Sequence, residues 1–148
     1  RSSYTIKPSS YPYDLEGFTV YLKPATANAE AVDAYLYFNL SSSYFSLDSI
    51  EIDNKEVAWV KLSELDSDDP LYFLAVNAPS GMTHVIKTPI PTVISPNKIS
   101  VKIVGTASGN VTIVFKGITL GTSRYAGTAW SASFQLKFNN AASSTGWG

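Results

Sequence analysis

The stretch Ala129-Trp130-Ser131-Ala132-Ser133-Phe134-Gln135-Leu136-Lys137-Phe138-Asn139 decides the fold class. Trp130, Ala132, Phe134, Leu136 and Phe138 alternate with Ser131, Ser133, Gln135, Lys137 and Asn139. Successive side chains of an extended chain point to opposite faces, so the pattern predicts one long strand with an apolar and a polar side. The same period runs upstream, with Ile99, Val101 and Ile103 in residues 98–104 and Val111, Ile113 and Phe115 in 111–116. The six residues 105–110 between them read as the loop of a hairpin. Inward-facing Trp130, Phe134, Leu136 and Phe138 are then expected to meet these upstream apolar faces in one core.

Shorter strands are expected at 18–23, 32–40, 49–53, 57–62, 71–76, 85–87 and 117–120. Residues 63–70 hold three aspartates and Pro70 and read as an exposed loop. About eight to ten strands in 148 residues predict an all-β domain, a single antiparallel β-sandwich of jelly-roll or immunoglobulin-like form. The reading divides the chain into an N-terminal arm (1–13), the sandwich (14–140) and a tail (141–148).

Composition narrows the chemistry. There is no cysteine and one histidine, His84, which excludes thiolate nucleophiles, disulfides and multi-histidine metal sites. Only 16% of residues are charged, while serine and threonine number 32, so the surface is rich in hydroxyls. Glycine-rich phosphate loops and a Ser-centred nucleophile elbow are both missing. A lone His beside Met82 and Val85 reads as structural rather than catalytic, and no enzyme activity is expected.

Charge is segregated along the chain. All twelve acids lie between Asp14 and Asp69; the six bases Lys87, Lys98, Lys102, Lys116, Arg124 and Lys137 follow without an acid. On separate surfaces the two halves would form a dipole suited to head-to-tail association, whereas interleaved strands would mix the signs. Six dispersed bases with little arginine do not make a nucleic-acid surface. No run approaches the ~18 apolar residues of a membrane-spanning helix.

Glu64, Asp66, Asp68 and Asp69 offer oxygen ligands at short spacing, a set that would suit calcium, although the acids also serve as an ordinary solvated loop. No other cofactor is expected. The sequons Asn39-Leu40-Ser41 and Asn110-Val111-Thr112 make Asn39 and Asn110 glycosylation candidates in a secreted protein. Tyr35 and Tyr37 share one side of a strand and would stack sugars if exposed; packing within the fold is the competing reading.

The arm carries Tyr4, Ile6, Tyr11 and Tyr13, and Pro8 and Pro12 keep it from continuing as a central strand. It would pair with the open edge of a neighbouring subunit, or fold back as an edge strand of its own domain. Trp147, in a tail of small residues, has the form of an anchor for a neighbour's pocket. These features predict an extracellular, cell-surface or virion-surface subunit that assembles with copies of itself into a filament, coat or surface layer. The alternative is a carbohydrate-binding or adhesin domain that stacks cell-surface glycans on exposed Tyr or Trp.

Overall fold

The computed structural model describes residues 3–6, 12–23, 34–40, 43–89, 99–119, 129–130 and 133–138, with side chains for 12, 35–40, 43–89 and 100–116. The described residues are mostly strand, with little helix, in two antiparallel sheets. In order the strands are β1 (Ser3–Ile6), β2 (Tyr13–Lys23), β3 (Ala34–Leu40), β4 (Phe45–Ile52), β5 (Lys55–Val57), β6 (Trp59–Lys61), β7 (His84–Ile86), β8 (Ile99–Ala107), β9 (Val111–Thr119), β10 (Ala129–Trp130) and β11 (Ser133–Phe138). One sheet runs β1-β9-β3-β7-β6, with β10 also on β9; the other runs β11-β2-β8-β4-β5.

Chain neighbours mostly sit in different sheets, and this corrects two expectations. Residues 98–104 and 111–116 are not a hairpin: β8 pairs with β2 and β4, while β9 pairs with β1, β3 and β10. The short turn 108–110 therefore carries the chain from one sheet to the other. The stretch 129–139 is likewise not one strand, because β10 pairs with β9 and β11 with β2. The side chains of Trp130, Phe134, Leu136 and Phe138 lie outside the described residues.

The interior is built where the pattern places it. Val101 and Ile103 of β8 and Ile113 and Phe115 of β9 are buried, with their neighbours in sequence more exposed. On β4 the buried positions Phe45, Ile50 and Ile52 change phase, because one extra residue between Leu47 and Ser49 faces β8. Opposite the same point β2 shifts register between Leu15 and Phe18. Both irregularities surround Gly105, where an added Cβ would stand 2.5 Å from Phe45 Cζ and collide with the Ser46 carbonyl oxygen. The missing side chain lets the Phe45 ring lie across the strand.

β4 and β5 form a two-residue hairpin in which Asp53 and Asn54 both take positive φ, 49° and 68°. Turns of this hand match the right-handed strand twist, and Asp and Asn tolerate the conformation. Asp53 anchors the hairpin to β8: its N–H donates to the Ser100 carbonyl at 2.9 Å and its Oδ1 accepts from the Ser100 N–H at 3.1 Å. After β5 a single residue, Ala58, takes the chain into β6 of the other sheet, with the Lys87 N–H donating to its carbonyl at 2.8 Å.

Between β6 and β7 an insert covers one side of β3. It contains a 3-10 turn (Leu62–Glu64) and α1 (Tyr72–Val76), a helix where a strand at 71–76 was expected. The segment has no strand to pair with, and Leu71, Leu74, Ala75 and Ala78 recur with helical spacing, packing with Leu65 against Tyr35, Tyr37 and Val85. Asp69 starts the helix: its Oδ1 accepts from the Leu71 N–H at 2.8 Å and its carbonyl from the Tyr72 N–H at 3.0 Å. The Tyr37 hydroxyl donates to the Leu74 carbonyl at 2.7 Å and ties the insert to β3.

Candidate functional site

Pairing and pleat together build a cleft at the edge of the first sheet. Phe38 opposes His84, His84 opposes Lys61, and Ile86 opposes Trp59. Residues opposite one another or two apart share a face, so Phe38, His84, Ile86, Trp59 and Lys61 lie on one side of the sheet. The imidazole of His84 stacks on Phe38, with centroids 4.8 Å apart and planes 11° from parallel. Trp59 meets the same imidazole edgewise, at 5.6 Å and 60°.

Beside these rings opens a cleft of about 890 Å³. Its walls are apolar where Leu40, Phe45, Leu47 and Trp59 face it. Ser43 and Ser63 supply hydroxyls on exposed residues, and Asn39, Lys61, Thr83 and His84 add further polar groups. Both sheets contribute, since Phe45 and Leu47 belong to β4 and the Trp59, Lys61 and His84 positions to β6 and β7.

His84 is 8% exposed, and burial lowers its pKa below the usual 6.5; the Lys61 ammonium lowers it further and Glu64 opposes the shift. The ring is therefore neutral at pH 7. Its Nδ1 lies 2.6 Å from Thr83 Oγ1, which also accepts from the Leu40 N–H at 3.2 Å. Among the described residues no carboxylate hydrogen-bonds the imidazole.

The remaining candidates fall elsewhere. Tyr35 and Tyr37 do share a side of β3, but at 8% and 0% exposure they are covered by the insert. This corrects the stacking-platform reading: apolar contact with Leu65 and Leu74 covers these rings, and Phe73 meets Tyr35 edgewise at 5.9 Å. Burial, and next the neighbouring Tyr35, push the Tyr37 phenol up to about 12.

The acidic loop that suggested calcium lies within the described residues. Among the described residues no group of three or more acidic or His side chains converges, and Glu64, Asp66, Asp68 and Asp69 are all described. Two of these acids serve the turn itself, Asp66 Oδ1 accepting from the Asp68 N–H at 3.2 Å and Asp69 Oδ1 from the Leu71 N–H at 2.8 Å.

The two sequons differ. Asn39 Nδ2 donates to the Gly81 carbonyl and its Oδ1 is buried without a partner, so the amide is engaged in the fold. Asn110 is exposed after the turn that joins β8 to β9. There Ser108 donates from both N–H and Oγ to the Tyr44 carbonyl, at 2.8 and 3.2 Å.

Of the arm, residues 3–6 form β1. β1 pairs antiparallel with β9, Tyr4 opposite Ile113 and Ile6 opposite Val111, which is the fold-back arrangement rather than exchange with a neighbour. Tyr13 begins β2, and the side chains of Tyr4, Ile6 and Tyr13 lie outside the described residues, as do Tyr11 and Trp147 altogether. Charge is interleaved: β8, from the basic part, lies between β2 and β4 of the acidic part, and Lys102 Nζ stands 3.8 Å from Glu51 Oε2. The sequence dipole therefore does not become two opposed faces along these strands.

Sequence reasoning did not single out α1. Leu74 is buried, yet Tyr72, Phe73 and Val76 are 38%, 40% and 67% exposed. A short run of Leu, Tyr, Phe, Ala and Val reads as core in sequence; only the one-sided packing of the helix turns part of it outward. Among the described residues no helix is long and apolar enough to cross a membrane. No family model, curated protein or solved structure matches this chain.

Proposed function

We propose that this chain is a structural subunit, a β-sandwich formed by packing the apolar faces of its two sheets, which associates with further copies of itself outside the cell or on a virion surface. The observation that carries the reading is the apolar face of α1. Tyr72, Phe73 and Val76 stand exposed together on one short helix, and clustered exposed apolar side chains are the usual mark of a contact surface.

Charge selects a second copy as the occupant. The insert around α1 carries Glu64, Asp66, Asp68 and Asp69, and no base occurs from residue 62 to residue 86. From residue 70 onward the same chain carries six bases and no acid. With charge interleaved along the strands, acids of the insert on one copy would meet exposed lysines such as Lys87 on another. The arm need not be exchanged for this, because β1 already completes its own sheet edge.

Sedimentation velocity over a concentration series tests the proposal. The unmodified chain is expected to associate, and association is expected to weaken toward ~1 M salt, where the Debye length falls to about 3 Å. Phe73→Asp with Val76→Asp is expected to leave a monomer with an unchanged circular dichroism spectrum. A chain that stays monomeric throughout the series, or a double variant that associates as well as the parent, would overturn it.

A further inference from the structure

We infer that the cleft beside His84 binds an acidic saccharide, a ligand independent of the self-association proposed for α1. Its volume, about 890 Å³, lies in the upper part of the ~300–1,000 Å³ range of small-ligand sites. The chemistry of the lining is mixed in the way a sugar ring is mixed. A sugar presents an apolar ring face and an edge of hydroxyls, and this cleft offers an indole, Trp59, together with the hydroxyls of the exposed residues Ser43 and Ser63.

Lys61 decides the charge of the ligand. It carries the only formal charge among the described lining residues, because His84 is held neutral by burial. Among the described residues it makes no ion pair. It shares its side of the sheet with Trp59 and His84, so an ammonium stands on the same face as the indole. A ring against Trp59 that also bears a carboxylate would meet Lys61, and a charged hydrogen bond there discriminates against the neutral sugar. Among the described lining residues there is no carboxylate, and Glu64, outside the lining, is close enough to act on His84.

The ring stack fixes the floor of the site. Phe38, fully buried, supports His84, and Trp59 packs edgewise on that imidazole, so the indole is positioned by a rigid strand pair rather than by a loop. Preorganised side chains lose little entropy when a ligand arrives.

The test is an amide-shift titration with oligomers of galacturonate, glucuronate and mannuronate and with sialyllactose, run against neutral oligosaccharides of the same length. At least one acidic member is expected to shift the amides of residues 59–63 and 82–84 saturably. Lys61→Gln is expected to weaken that binding about tenfold while leaving the melting temperature unchanged. Trp59→Ala is expected to abolish it; should that variant unfold, Trp59→Phe, which keeps an aromatic ring on the edge strand, is expected to weaken binding instead. The proposal falls if no acidic member gives saturable shifts in the cleft, if a neutral oligosaccharide binds as tightly, or if Lys61→Gln binds unchanged.

Discussion

Replacing Tyr37 by phenylalanine isolates the hydrogen bond that ties α1 of the insert to β3. The ring remains and packs as before against Leu65, Leu74 and Val85; only the hydroxyl that donates to the Leu74 carbonyl at 2.7 Å is lost. A typical hydrogen bond contributes about 0.5–1.5 kcal/mol net, and an acceptor left buried without a partner costs about 1–3 kcal/mol. Leu74 is fully buried, so water cannot readily replace the phenol, and the expected destabilisation is about 1–3 kcal/mol. In a domain of this size each kcal/mol lowers the melting temperature by ~2–4 °C, which calorimetry or urea denaturation resolves. Hydrogen exchange should locate the loss, with the amides of Asn77 and Ala78 at the end of α1 exposed more often than those of β8. A pH series gives an independent check. The phenol is pushed from 10.0 up to about 12 in the folded chain, so the unfolded chain loses this proton first and the associated stability declines as pH rises from 10.0 towards 12. The phenylalanine variant lacks this term, and the gap between the two proteins should narrow over that interval. A loss below about 0.3 kcal/mol, well under the net value of one ordinary hydrogen bond, together with a gap that ignores pH, would refute the claim that this bond holds the insert.

Two further outcomes follow from the packing. Gly105→Ala should cost about 1–3 kcal/mol, as overpacking does, because the new methyl group meets the Ser46 carbonyl and the Phe45 ring; a variant as stable as the parent in urea would show that β4 moves aside freely. The imidazole of His84 should titrate below 6.5 by NMR, and the unfolded chain then binds its proton first, so this group removes stability as pH falls below 6.5. Lys61→Gln should raise the titration midpoint by removing a neighbouring cation, and a midpoint that does not move would sever Lys61 from the cleft electrostatics.

The class of the fold was legible in sequence because alternation is local. Each side chain's face depends only on its own strand, so Val101, Ile103, Ile113 and Phe115 are buried as their spacing predicts. Which strand pairs with which is not local. The residues from 98 to 116 read equally well as a hairpin or as two strands joined across sheets, and only the partners β2 and β4 on one side and β3 on the other decide between them. The bulge after Leu47 hides β4 for the same reason, since an extra residue shifts the period without any compositional mark. Composition made His84 stand out as the single imidazole, but Trp59 and Lys61 join it only through the β6–β7 register. Tyr35 and Tyr37 share a side in sequence and in structure; whether that side meets solvent depended on the insert, 28 or more residues along the chain from Tyr37 at Leu65 and Leu74, folding back. Side-chain direction is a property of adjacent bonds, whereas burial and convergence are set by chain segments that sequence order does not bring together.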